Sequence, residues 1–185
     1  MKNTLVVNLY GAPGSGKSTG AAYLFSRLKM NGVDCEYVPE FAKSAVWEER
    51  GNLFKDPEEQ FFIFANQFHA MNVLYGKVDV IVTDSPLLLT LVYNRSVRLD
   101  GPYEKVVLNL NSKFSRHLDY MVLRDMAYDR NGRNETKEES DKIQEEIRKM
   151  LHRNDVTYFD VKGNKEGYTS LFSMVMTVIG RKVVS

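Results

Sequence analysis

The sequence holds a single cysteine, Cys35, so it can form no disulfide within the chain and no zinc site built on thiolates. A lone thiol of this kind reads as a small core residue in a reducing, cytoplasmic setting. Long apolar runs are missing too. The longest uncharged stretches, Asn3–Gly16 and Gly167–Gly180, are 14 residues each and carry many polar or glycine positions, short of the roughly 18 apolar residues a membrane helix needs. No secretory leader is expected either, because the apolar Leu5–Tyr10 runs straight into a glycine-rich motif. Excess charge of one sign is absent: 25 basic against 24 acidic residues leave +1. No broad basic field marks a nucleic-acid coat, although a local basic cleft stays open. Glycine and proline are scarce, 12 and 5 in 185 residues, which excludes a collagenous or low-complexity chain.

What is present is the composition of one ordinary globular domain spanning residues 1–185, 43% hydrophobic and 26% charged. Leu5–Leu9 is a short apolar run ending near glycine, the pattern of a buried strand. Lys17–Met30 places Ala21, Leu24, Phe25 and Leu28 at helical spacing and ends at Asn31-Gly32. Asp34–Val38, Val78–Thr83, Asp119–Leu123 and Val156–Val161 read as further strands. Between them, Asp56-Pro57-Glu58-Glu59 opens a helix to about Tyr75, with Phe61, Phe64, Ala65, Phe68 and Met71 on its inner face. Leu87–Tyr93, Tyr103–Leu110 and Tyr168–Ile179 read as helices, and Thr136–Glu139 is a capping box for another with Ile143, Ile147, Met150 and Leu151 inside. Strands alternating with helices predict an α/β three-layer domain: a five-stranded parallel sheet with helices on both faces.

The most specific motif is Gly11-Ala12-Pro13-Gly14-Ser15-Gly16-Lys17-Ser18, followed by Thr19. It fits G-x-x-x-x-G-K-[ST] with a strand before it and a helix after it, the context of a phosphate-binding loop (P-loop). Glycines let the backbone N–H groups turn inward as a nest for anionic oxygens, and the helix offers its positive end. Lys17 is placed for the β/γ-phosphates of ATP, and the Ser18 hydroxyl for Mg²⁺.

Asp84 closes the third strand. At the carboxyl edge of a parallel sheet it can hold the hydration shell of Mg²⁺, or it can cap the helix beginning near Leu87. Glu40, after the second strand, can take a proton from an attacking hydroxyl or bond a sugar, or serve as an exposed first-turn carboxylate. Residues 124–149 contain 15 charged positions in 26. Within them Arg124, Arg130 and Arg133 flank Gly132, as a lid over about 124–137 would; arginine forks suit a transferring phosphoryl group. A solvated charged loop is the plain alternative.

Together GAPGSGKST (Gly11–Thr19), PEFAK (Pro39–Lys43), the helix bearing Gln60 and Gln67, TDSP (Thr83–Pro86) and DRNGRN (Asp129–Asn134) resemble the P-loop kinases with an adenylate-kinase-like core. Within these the chain is most similar to the nicotinamide-riboside-kinase-like group of small AAA-type proteins. The resemblance implies a P-loop NTPase fold with a lid, ATP with Mg²⁺, and phosphoryl transfer to a nucleoside-like small molecule, with Glu40 as base. Ser85-Pro86 stands where related nucleoside kinases often carry Arg. Phe41 or Phe64 would wall a base, Gln67 would read its edge, and Arg95 is a further candidate for binding the acceptor; Phe41, Phe64 and Gln67 each also suit a core or surface role. A nucleoside monophosphate acceptor would call for arginines, of which Arg50, Arg95 and Arg98 are the nearest. Other readings are a kinase acting on a hydroxyl of nucleic acid and a regulatory NTP-binding protein or NTPase. The length leaves no room for a separate adenylyltransferase domain, and no sizeable C-terminal helical domain follows the sheet as in an AAA+ motor.

Overall fold

A computed structural model describes residues 1–43, 56–93, 101–125 and 136–183. Five parallel strands form one sheet in the order β2-β3-β1-β4-β5. They are β1 (Leu5–Tyr10), β2 (Cys35–Val38), β3 (Val80–Thr83), β4 (His117–Leu123) and β5 (Phe159–Lys162). β1 is central and wholly buried, as its largely apolar run requires when both faces are covered. It pairs with β3 from Leu5↔Val80 to Asn8↔Thr83, and with β4 from Val6↔His117 to Tyr10↔Met121. β4 starts two residues before the expected Asp119 because the Arg116 carbonyl already accepts from the Val6 N–H at 2.9 Å.

Alternation along each strand sorts side chains to two layers. Leu5, Val7, Leu9, Val80, Val82, Tyr120 and Val122 pack under α1 (Lys17–Met30) and the C-terminal helix Lys165–Val178. Val6, Tyr10, Ile81 and Met121 face the other layer. That layer holds α2 (Pro57–Asn72), a 3-10 turn (Leu87–Leu89) leading into α3 (Thr90–Tyr93), α4 (Gly101–Asn111) and α5 (Lys137–Arg153). The C-terminal helix is accordingly α6.

The helix ends are chemically specified. Asp56 Oδ1 accepts from the Glu58 N–H at 3.1 Å, with Pro57 in the first turn. Thr136 and Glu139 form a reciprocal capping box on α5, at 3.2 and 2.7 Å. Each cap satisfies backbone donors that a helix start otherwise leaves open.

One face differs from the sequence reading. On α2 the buried residues are Gln60, Phe64, Gln67 and Met71, whereas Phe61 is 53% exposed and Ala65 is exposed. The helix is rotated toward its amide stripe because the Gln67 amide finds partners at the strand ends. Phe61 meets Tyr103 in a tilted ring contact, centroids 6.3 Å apart. β5 is also shorter than expected: Val156 and Tyr158 pack on the α5 layer, and the strand begins at Phe159. Among the described residues no helix is long and apolar enough to cross a membrane.

Candidate active site

The loop between β1 and α1 curls through left-handed glycines, Gly14 at φ +79° and Gly16 at φ +98°, where a side chain would be strained. The N-cap of α1 is Gly16, which has no side chain to bond the first-turn N–H groups, leaving the helix start suited to an anion. Ser15 is 4% exposed, and its Oγ has no hydrogen-bond partner among the described residues. A buried hydroxyl left unsatisfied is costly, and at this position a phosphate oxygen would answer it. Lys17 Nζ donates to the carbonyls of Gly11 at 2.7 Å and Ala12 at 3.1 Å. The ammonium is thus held at the loop that phosphates would enter.

Three elements that are distant in sequence hold the loop in place. From α6, the Tyr168 hydroxyl donates to the Gly16 carbonyl at 2.9 Å, and its ring covers Gly20 so closely that a Cβ there would lie 2.7 Å from it. From the turn after β5, Gly163 donates to the Leu123 carbonyl at 2.7 Å, and a Cβ on it would press on the Ser15 carbonyl. From α5, Gln144 Oε1 accepts from the Ala12 N–H at 2.7 Å, and Ser140 Oγ donates to the Pro13 carbonyl at 2.7 Å. Arg124, at the end of β4, donates to Ser140 Oγ and, at 2.9 Å, to Asp141.

The loop after β2 is tied to β3. The Glu40 N–H donates to Asp84 Oδ1 at 3.1 Å, and Asp84 is only 2% exposed. The Phe41 N–H donates to Gln67 Oε1 at 3.1 Å; Gln67 Nε2 donates in turn to Thr83 Oγ1 at 3.2 Å, which also accepts from the Ser85 N–H. Burial pushes the Tyr37 phenol far above its ordinary pKa. The charge of Asp84 and a hydrogen bond to it add to the push, and Glu40 contributes less. Tyr37, Glu40 and Asp84 therefore share one small acidic region at the carboxyl ends of β2 and β3.

The site residues expected from sequence divide as follows. Gly11–Thr19, Glu40, Asp84 and Arg124 lie along the carboxyl edge of the sheet. Ser18 and Thr19 are exposed on the first turn of α1. Gln67 is 4% exposed, with its amide joining two protein segments, and Phe64 is 3% exposed between Phe68 and Tyr103 in the core. Phe41 is half-buried and meets Phe62 edge-on at 5.5 Å. Arg50, Arg95, Arg98, Arg130, Arg133 and Gly132, and with them most of the expected lid, lie outside the described residues. Tyr37, Ser140, Gln144, Gly163 and Tyr168 escaped the sequence reading. Only a glycine inside a helix (Gly20) and one before a cap (Gly163) hinted at close packing.

Among the described residues no three His, Cys, Asp or Glu side chains gather to hold a metal. A metal here would take Ser18, one carboxylate and phosphate oxygens, which is the donor set suited to Mg²⁺.

This order of parallel strands, with a glycine-rich loop and lysine between β1 and α1, defines a nucleotide-binding α/β domain of the P-loop NTPase class. The chain belongs to the AAA domain family AAA_28, whose model matches residues 6–167. Among solved structures it is similar to NadR protein in complex with NR (TM-score 0.72, 17% identity, 98% of this chain and 53% of that one). NadR protein in complex with NAD and AMP-PNP is similar to the same degree (TM-score 0.72, 16% identity, 98% and 51%). Thymidylate kinase from Ehrlichia chaffeensis matches at TM-score 0.58 and 14% identity, over 95% of this chain and 98% of that one. The chain spans about half the length of the NadR chains it matches. At these identities the likeness shows the fold, which is shared with kinases. No curated protein matches the chain in sequence.

Proposed function

We propose that this protein is a phosphotransferase that moves the γ-phosphoryl group of ATP, with Mg²⁺, to a hydroxyl of a nucleoside-like small molecule. The observation that carries this reading is the Glu40–Asp84 link at 3.1 Å, which ties a candidate base to a candidate metal carboxylate on the same sheet edge as the P-loop. β2 and β1 are separated by β3, so about 10 Å lies between the base loop and the phosphate loop, two inter-strand spacings. That gap admits a terminal phosphate and a hydroxyl in line. The NadR complexes with NR and AMP-PNP support a nucleoside and a nucleoside triphosphate as the two ligands.

In this reading the N–H groups of Gly14–Thr19 bind the phosphates, and Lys17 turns from the Gly11 and Ala12 carbonyls to the β/γ oxygens. Ser18 would ligate Mg²⁺ directly and Asp84 through water; the ion supplies charge neutralisation on the phosphates. Glu40 orients the acceptor hydroxyl and accepts its proton as the bond to phosphorus forms. Phe41, backed by Phe62, gives the acceptor an aromatic wall, and Gln67 holds the Phe41 backbone in place. Arg95, Arg124, Arg130 and Arg133 remain candidates for contacts to acceptor and phosphates.

The likeness to thymidylate kinase over that enzyme's whole length favours a second reading, a nucleoside monophosphate acceptor. An ATP-consumption screen over nucleosides, nucleoside monophosphates and single-stranded DNA separates the cases. Turnover with a nucleoside is expected. Turnover with monophosphates alone replaces the reading by a nucleotide kinase, with DNA by a nucleic-acid kinase, and without any acceptor by an NTPase.

A further inference from the structure

Two outward-facing groups of the P-loop, the Ala12 N–H and the Pro13 carbonyl, are taken by α5. Gln144 Oε1 accepts from the first at 2.7 Å and Ser140 Oγ donates to the second at 2.7 Å. Ser140 and Gln144 stand four residues apart, hence on one face of the helix, and the same face continues into buried Ile147 and Leu151. Ser140 is itself fully buried and receives a hydrogen bond from Arg124. The helix that grips the loop is therefore anchored at its cap, in the core and at the end of β4. The Ala12 carbonyl in turn accepts from Lys17 Nζ and from the Ser15 N–H, both at 3.1 Å, so Ala12 is held at its N–H and at its carbonyl.

We infer that Ser140 and Gln144, set by Arg124, are positioning residues for nucleotide phosphate. By pairing the loop's outer groups they fix the Ala12–Pro13 turn, so that the N–H groups of Gly14–Thr19 are already aimed inward when phosphates arrive. Preorganisation of this kind lowers the ordering cost of binding. It acts on nucleotide affinity and leaves the acceptor untouched. Because coupling is reciprocal, a nucleotide that needs the clamp must also tighten it.

The inference rests on the P-loop reading, and AMP-PNP with Mg²⁺ is the probe. Gln144→Met keeps the side chain's length and removes the acceptor; Gln144→Glu keeps the acceptor. Calorimetry on folded Gln144→Met should show AMP-PNP binding weakened about tenfold, the size of one lost hydrogen bond. Exchange of the Ala12 amide hydrogen should be faster, and Gln144→Glu should restore slow exchange. Unchanged AMP-PNP affinity in folded Gln144→Met overturns the inference. Should that variant not fold, the wild-type protein decides: AMP-PNP should slow hydrogen exchange along residues 137–147, and no slowing overturns the clamp. A wild-type protein that fails to bind AMP-PNP at all sinks the P-loop reading instead, a different result from binding without protection.

Discussion

Glu40 reaches Asp84 through its backbone, the N–H donating to Oδ1 at 3.1 Å, so its carboxyl is not spent on that link. Glu40→Gln keeps the backbone bond and the side-chain volume and removes the carboxylate proposed as the base. Turnover on the true acceptor should fall about 10²-fold or more with AMP-PNP affinity unchanged; wild-type turnover in this variant ends the base role. A second residue-scale expectation concerns Asp119, buried between β4 and β1. Burial raises its pKa, only partly offset by hydrogen bonds from Asn8, at 2.8 Å, and Tyr10 and by the charge of His117. A carboxyl whose folded pKa lies above its unfolded value binds its proton more tightly in the folded chain. Its contribution is fully present below the unfolded value near 3.9 and is lost as pH rises through the folded pKa. Asp119→Asn keeps the acceptor for Asn8 and removes that loss. The melting temperature of the variant minus that of wild type should grow from pH 3 upward; a difference constant to pH 8 contradicts the assignment.

At the scale of elements, close approach of backbone decides more than side-chain chemistry. The turn between β5 and α6 lies against the P-loop so tightly that a Cβ on Gly163 would meet the Ser15 and Leu123 carbonyls, both backbone. Neither can swing aside, so Gly163→Ala must push the turn off the loop. We expect a loss of about 1–3 kcal/mol, the range for overpacking, read by urea denaturation, together with weaker AMP-PNP binding; an unchanged midpoint refutes the close fit. The elements themselves were legible in the sequence because their signals are local. The P-loop, the Asp56 and Thr136 caps and the apolar run of β1 each sit within a few residues of the structure they specify. The inner face of α2 was not legible, because a buried amide such as Gln67 reads as a surface residue until its partners Phe41 and Thr83 are known. Tyr168, Ser140 and Gln144 meet the P-loop across 152, 127 and 132 residues. No period or spacing records a contact of that range, so the frame of the site was missed while its motif was plain.

At the scale of the whole molecule, both helical layers reach the P-loop. Tyr168 reaches it from the α1–α6 side, and Ser140 and Gln144 reach it from the α2–α5 side, with β1 between them. A ligand that binds the folded loop and has no affinity for the unfolded chain therefore stabilises the domain as a unit. At a concentration of about 100 times its Kd the gain is about 2.7 kcal/mol. In a domain of this size that corresponds to a rise in melting temperature of about 5–10 °C. AMP-PNP with Mg²⁺ should produce such a rise, and chelating the Mg²⁺ should shrink it. Lys17→Ala removes the ammonium proposed to turn to the phosphates, at a side chain that is half-buried and donates to the Gly11 and Ala12 carbonyls of its own loop. Its melting temperature without ligand should stay within a few degrees of wild type, while most of the ligand-induced rise disappears. Glu40→Gln, whose change lies on the acceptor side, should keep the rise in full. An undiminished rise in Lys17→Ala would mean that AMP-PNP binds the protein somewhere other than this loop.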